Sequence, residues 1–206
     1  MTPQDEQGKT FQILKNITNK ETVFKSFFFA SLFVLFFEIL KHFIIGRLKE
    51  LYCDADFNTD KSDAIKETER YKKEVKSLAR DPLYASIKWF QNRGALSQEE
   101  SDIISSANTR RCYFVHELSI CLMEGFSESD ITLLHSIINI YYKLDSWWVY
   151  NIDFPDEIAS HEKIKQGDCI SSTAILHKII FDVITGNDEK YFDLVEQIQT
   201  TINKRK

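Results

Sequence analysis

Six glycines and three prolines in 206 residues leave too little turn punctuation for a chain of many short strands. Cysteine is equally sparse in pattern. Cys53, Cys112, Cys121 and Cys169 are scattered with no Cys-x-x-Cys pair, which is neither a zinc signature nor a disulfide framework. A reduced, intracellular and cytoplasmic protein is the expectation. Positive charge is also in deficit: the formal net charge of -5 argues against a protein that coats nucleic acid nonspecifically, because such binding draws on Lys and Arg neutralising phosphates. A small local basic site stays open. The sequence has no His-Glu-x-x-His, no glycine-rich phosphate loop and no carboxylate cluster spaced for two metals, which is consistent with an expectation of no metal and no cofactor. The stretch from Met1 to Lys20 is polar and lacks the basic-then-apolar order of a secretory signal.

What the chain has is apolar bulk. It is 43% hydrophobic with sixteen phenylalanines, and a chain of this size buries roughly 70% of its unfolded surface, enough for a core without staples. An all-α protein is the expectation. Residues 1–20 read as a polar N-terminal segment, 21–150 as a helical bundle, and 151–206 as a connection with further C-terminal helices.

The first helix is expected from about Glu21 to Tyr52, carrying Val23, Phe27, Leu32, Leu35, Ile39, Phe43 and Leu48 among bulky neighbours on more than one face. Its run Phe27–Phe37 is too short to span a bilayer comfortably and is followed by Glu38, Lys41 and His42. It reads as a buried core helix, with a membrane-associated or partner-facing helix as the alternative. After a polar break, the charged stretch Asp63–Ala79 reads as a solvated helix rather than a phosphate site built on Lys72, Lys73 and Lys76.

Asp81-Pro82 is a helix entrance, since Asp accepts from the orphan amides and Pro needs no donor at the first position. That helix runs to Asn92, Gly94 closes it, and Ser97-Gln98-Glu99-Glu100 forms a capping box for the next, expected to continue to about Met123. Another cap pattern, Ser127 to Asp130, opens a helix with Ile131, Leu134, Ile138, Tyr141 and Leu144 on its apolar face. Trp147 to Ile164 reads as an irregular connection in which Trp147, Trp148 and Tyr150 are core anchors sooner than base-stacking platforms. Two closing helices, about Ser171–Thr185 and Asp188–Ile202, flank Gly186-Asn187. His42, His135 and His177 read as structural side chains, and the polar group Asp153, Asp156, Glu157, His161 and Glu162 as solvated sooner than cation-binding. Lys204-Arg205-Lys206 reads as a frayed basic tail.

The segment suited to chemistry is Thr109-Arg110-Arg111-Cys112-Tyr113-Phe114-Val115-His116. A guanidinium can hold a phosphate bidentately while an imidazole moves protons near neutral pH, and RNA supplies its own nucleophile in the 2′-hydroxyl. Arg111 and His116 lie five positions apart, about 140° around an ideal helix, so only a long side chain can bring them together. A surface Arg and a His meeting Glu117 or a backbone acceptor would produce the same spelling.

The Arg111-x4-His116 spacing, preceded by Gly94-Ala95-Leu96-Ser97-Gln98-Glu99-Glu100, resembles the HEPN superfamily of helical bundles. The local match covers about Gly94 to Glu124. The resemblance implies a metal-independent endoribonuclease of defence or toxin type, with RNA as its substrate and a protein antitoxin or regulator as a partner. It implies that two copies pair their motifs in one cleft of a homodimer, where Arg111 holds the scissile phosphate and His116 acts as general acid or base. Arg110 is a further candidate phosphate contact. Cys112 stands where the family often has Asn, Asp or His, which keeps open a second reading, a noncatalytic HEPN-like module that binds a protein or nucleotide.

Overall fold

The order of elements follows from where the chain can cap a helix and where it cannot continue one. The computed structural model describes residues 3–55, 65–155 and 164–187. Eight α-helices lie among the described residues: α1 (Pro3–Thr18), α2 (Lys20–Tyr52), α3 (Glu69–Glu74), α4 (Pro82–Asn92), α5 (Gln98–His116), α6 (Leu118–Glu124), α7 (Glu128–Trp148) and α8 (Ser172–Ile184). The only sheet among them is a two-residue antiparallel ladder pairing Asp54 with Lys66 and Ala55 with Ile65. The protein is therefore all-α, as its scarcity of turn residues implied. It divides into two compact units, Met1–Tyr141 and Tyr142–Lys206, with the boundary inside α7.

In the first unit α2 is the central element. Asn19 separates it from α1 and caps it, its side chain accepting from the Thr22 amide at 3.1 Å. Phe33, Phe36, Phe37, Leu40, Ile44 and Leu48 are buried along one side, and full burial of each such side chain contributes about 1.5–3 kcal/mol. The other side of its first half is not covered: Phe24, Phe27, Phe28 and Leu35 are exposed. The expectation of a core helix thus describes one face of α2. Among the described residues it is the one helix long and apolar enough to cross a membrane.

The N-terminal segment is a helix, which its polar composition did not announce. α1 packs against α2 and α6, and Asn16 donates to the Met123 carbonyl at 2.8 Å. Charge spacing over Asp63–Ala79 overstated a helix. Ile65 and Lys66 are paired as a strand, and Thr68 sets the start of α3 by accepting from the Tyr71 amide while donating to the Tyr52 carbonyl. Beyond Val75 only a single 3₁₀ turn, Lys76–Leu78, follows.

Local signals around α4 and α5 hold. Asp81 accepts from the Leu83 and Tyr84 amides. Gly94, at φ +71°, lets the chain leave α4 with Ala95 N–H bonded to the Phe90 carbonyl and Gly94 N–H to that of Gln91. Ser97 and Glu100 complete their reciprocal box. The helix expected to reach Met123 instead breaks at Glu117, whose backbone leaves helical geometry (φ -120°, ψ 33°), and α6 restarts at Leu118. In α7, Leu134, Ile137, Ile138, Tyr141 and Leu144 are buried, whereas Ile131 faces outward.

In the second unit Asp145, 1% exposed, accepts from the Ser171 amide at 2.8 Å and its hydroxyl at 2.6 Å. Ser171 in turn caps α8 through the Ala174 amide. Trp147 and Trp148 complete α7, and the expected irregular connection begins with a π-helical turn, Val149–Asp153. Trp148 is buried and donates from Nε1 to Asp153 at 2.9 Å, as an anchor should. The expected closing helix Asp188–Ile202, the group Asp156, Glu157, His161 and Glu162, and the basic tail lie outside the described residues.

Candidate functional site

The buried face of α5 carries Ser101, Ile104, Ala107 and Phe114. Arg111 falls on that same stripe, four positions after Ala107 and three before Phe114, so its side chain enters the seam with α2. There its Nη2 pairs with Glu38 Oε1. The contact is a charge pairing without hydrogen-bond alignment, and Arg111 Nε is buried with no hydrogen-bond partner.

Arg110 is turned about 100° from its neighbour and meets a different carboxylate. Its Nε donates to Asp130 Oδ1 at 2.6 Å and its Nη2 to Oδ2 at 2.9 Å, a bidentate fork. Asp130 is only 4% exposed, and it also accepts from the Ser127 amide and hydroxyl, which closes the start of α7. Burial alone would raise the Asp130 carboxyl; the Arg110 and Ser127 donors outweigh it and hold the group below its ordinary range. The Arg110 guanidinium is raised, first by its hydrogen bond to Asp130.

The fork rests on aromatic rings. Arg110 lies 4.6 Å from the Phe114 centroid and 4.7 Å from that of Tyr113. Phe114 belongs to a cluster in which Phe33 approaches it edge-on at 5.0 Å and Phe126 at 5.3 Å, with Phe29 at 4.5 Å from Phe126. Beside it, Ser106, Thr109, Arg110, Tyr113, Ser127, Ser129, Asp130 and Leu133 line an open depression of about 790 Å³.

His116 ends α5 and is exposed, with no hydrogen bond or ion pair among the described residues. It lies about 7.5 Å along the axis from Arg111 and about 140° around it. No hydrogen bond or ion pair joins the two among the described residues. A single chain therefore presents the segment as separated parts: an arginine in the α2–α5 seam, a second arginine forked on Asp130, and a histidine facing outward.

Two partners were missed by sequence reasoning. Glu38 stands inside an apolar helix, where a half-exposed carboxylate signals a cation on the neighbouring element. Asp130 was legible as a helix cap, but nothing local links it to an arginine twenty positions earlier.

Lys72 pairs with Glu69 and Lys76 with Glu67. His177 is half-buried; burial lowers its pKa and Asp145 opposes the shift. The four cysteines are free thiols, and burial pushes the Cys53 and Cys121 thiols up, away from reactive thiolates. Among the described residues no three His, Cys, Asp or Glu side chains gather to hold a metal. Comparison with family models, with curated proteins and with solved structures returned no match.

Proposed function

We propose that the protein is a metal-independent endoribonuclease of HEPN type whose cleft forms between two copies of the chain. One observation carries this reading. Arg111 is paired with Glu38 and His116 is solvent-facing on the same helix, about 140° around its axis, so acting together on one phosphate calls for the second copy that the resemblance implies. Apposing a second copy supplies the missing half. In the reaction the resemblance implies, the RNA 2′-oxygen attacks the adjacent phosphorus and the bond to the 5′-oxygen breaks. One imidazole takes the 2′ proton and the other returns a proton to the leaving 5′-oxygen. The products are a 2′,3′-cyclic phosphate and a 5′-hydroxyl.

The test is cleavage of a mixed RNA panel in the presence of a chelator. Wild type should cut; His116→Ala should slow cutting by about 10²- to 10⁴-fold, the usual contribution of a positioned acid or base, and Arg111→Ala by about 10²- to 10³-fold, that of a lost charge-stabilising donor, with far-UV circular dichroism unchanged. Cleavage that survives His116→Ala in a folded protein would sink the reading.

A second reading, a noncatalytic helical module for a protein or nucleotide partner, is favoured by one specific feature. Both motif arginines already meet carboxylates of their own subunit, Asp130 and Glu38, and a carboxylate competes with phosphate for a guanidinium. On that reading, wild type binds without cutting and the two substitutions leave binding intact.

A further inference from the structure

The α1–α2 corner leaves a large apolar surface open. Phe11 is 71% exposed, Phe24 66% and Phe27 51%, with Leu14 and Ile17 also outward. Ile17, Val23, Phe24 and Phe27 line a groove with Leu122 and Lys20, and the Phe24 and Phe28 rings stack at 6.4 Å along its edge. Isolated exposed apolar residues are ordinary; a contiguous aromatic surface marks an interaction site.

Charge identifies what covers it. Across the patch itself, Phe11 to Phe28, the chain carries Lys15, Lys20 and Lys25 against Glu21 alone; Asp5 and Glu6 lie earlier on α1 and Glu38 later on α2. Lys15, Lys20 and Lys25 are exposed there, and the glutamate, Glu21, is paired with Lys25. Phenylalanines rimmed by lysines match the interface of an anionic bilayer, where rings enter the acyl boundary and ammonium groups stay among the headgroups. A two-fold contact between copies would set this patch, with three lysines to one glutamate, against a patch of the same net charge, which is repulsive. Nor can α2 cross the bilayer in this fold, since Phe33, Phe36, Phe37 and Leu40 are committed to the protein core.

We propose that the α1–α2 corner is a peripheral docking surface for anionic lipid membranes, with Phe24 and Phe27 as the inserting side chains and Lys15 and Lys20 as the headgroup contacts. The site is separate from the Arg111–His116 segment and does not rest on ribonuclease activity.

The experiment is cosedimentation of the full chain with phosphatidylcholine vesicles and with phosphatidylcholine–phosphatidylserine vesicles, at low and high salt. Binding should require phosphatidylserine and be released by salt. Lys15→Gln with Lys20→Gln should weaken it about fivefold per lysine, and Phe24→Asp with Phe27→Asp by at least about tenfold, with helicity retained because these side chains are exposed. Failure of wild type to pellet with either vesicle overturns the proposal. So does resistance of bound protein to alkaline carbonate, which would indicate a spanning helix. Loss of a wild-type dimer in Phe24→Asp with Phe27→Asp, with no lipid binding by either protein, would assign the surface to a second copy instead.

Discussion

The Arg110–Asp130 fork makes a quantitative demand on the first unit. Asp130→Ala removes both acceptors of the fork and the carboxylate that accepts from Ser127. Breaking a fully buried pair from one side costs about 3–5 kcal/mol. Arg110 retains 31% side-chain exposure, so water takes up part of its lost partner and the pair itself falls toward about 1–2 kcal/mol. Loss of the helix-start bonds adds about 1 kcal/mol. The sum, about 2–3 kcal/mol, corresponds to a drop in Tm of roughly 5–10 °C for a chain of this size. The assay is urea unfolding followed by circular dichroism for wild type, Asp130→Ala, Arg110→Ala and the double variant. The double variant should recover at least about 1 kcal/mol of the summed single losses, since its two members no longer strand each other. Coupling below about 0.5 kcal/mol would refute the strut. The pH dependence has a fixed sign. Because the folded Asp130 carboxyl lies below its ordinary value, its contribution is complete above about pH 3.9 and is lost as pH falls from there toward the folded pKa. Asp130→Ala should therefore show a shallower acid loss than wild type.

Other substitutions test neighbouring parts of the fold. Tyr52→Phe removes the acceptor shared by Trp89 Nε1 and Arg93 Nη2, each at 3.2 Å, and should cost about 1–3 kcal/mol in urea unfolding because a buried indole donor is left unmet. Phe33→Ala opens a cavity in the Phe29–Phe114 cluster, where Phe33 has no exposed surface, and should cost about 3–5 kcal/mol. His177 has a pKa lowered by burial in the folded state, so its contribution is present above about pH 6.5 and declines as pH falls toward the folded value. In His177→Gln, thermal melts across that range should show a weaker pH dependence; an unchanged slope would remove His177 as the titrating group.

The helix ends flanking Gly94 were legible because the signals are local. Asp81-Pro82, Gly94 and Ser97-x-x-Glu100 each specify a hydrogen bond within a few residues. The N-terminal helix was missed although Phe11, Leu14 and Ile17 recur at helical spacing, because the polar composition of the segment was weighed above that periodicity. Charge spacing misled in the other direction between Asp63 and Ala79, where a strand pair and the Thr68 bonds prevail over weak helical ion pairs. At the candidate site the sequence spells the motif but not its partners. Nothing near Arg110 or Arg111 names Asp130 or Glu38, because packing of α5 against α2 and α7 brings them together across long stretches of chain.

The Phe90–Glu100 turn has a kinetic consequence. The bonds that end α4 and cap α5 are made within eleven consecutive residues, Phe90 to Glu100, so the corner can organise without waiting for distant contacts, at the microsecond pace of local structure. If the corner is formed in the folding transition state, Ser97→Ala will slow refolding and leave the unfolding rate nearly unchanged. Asp130→Ala, whose fork must wait for α7 to arrive, will chiefly accelerate unfolding.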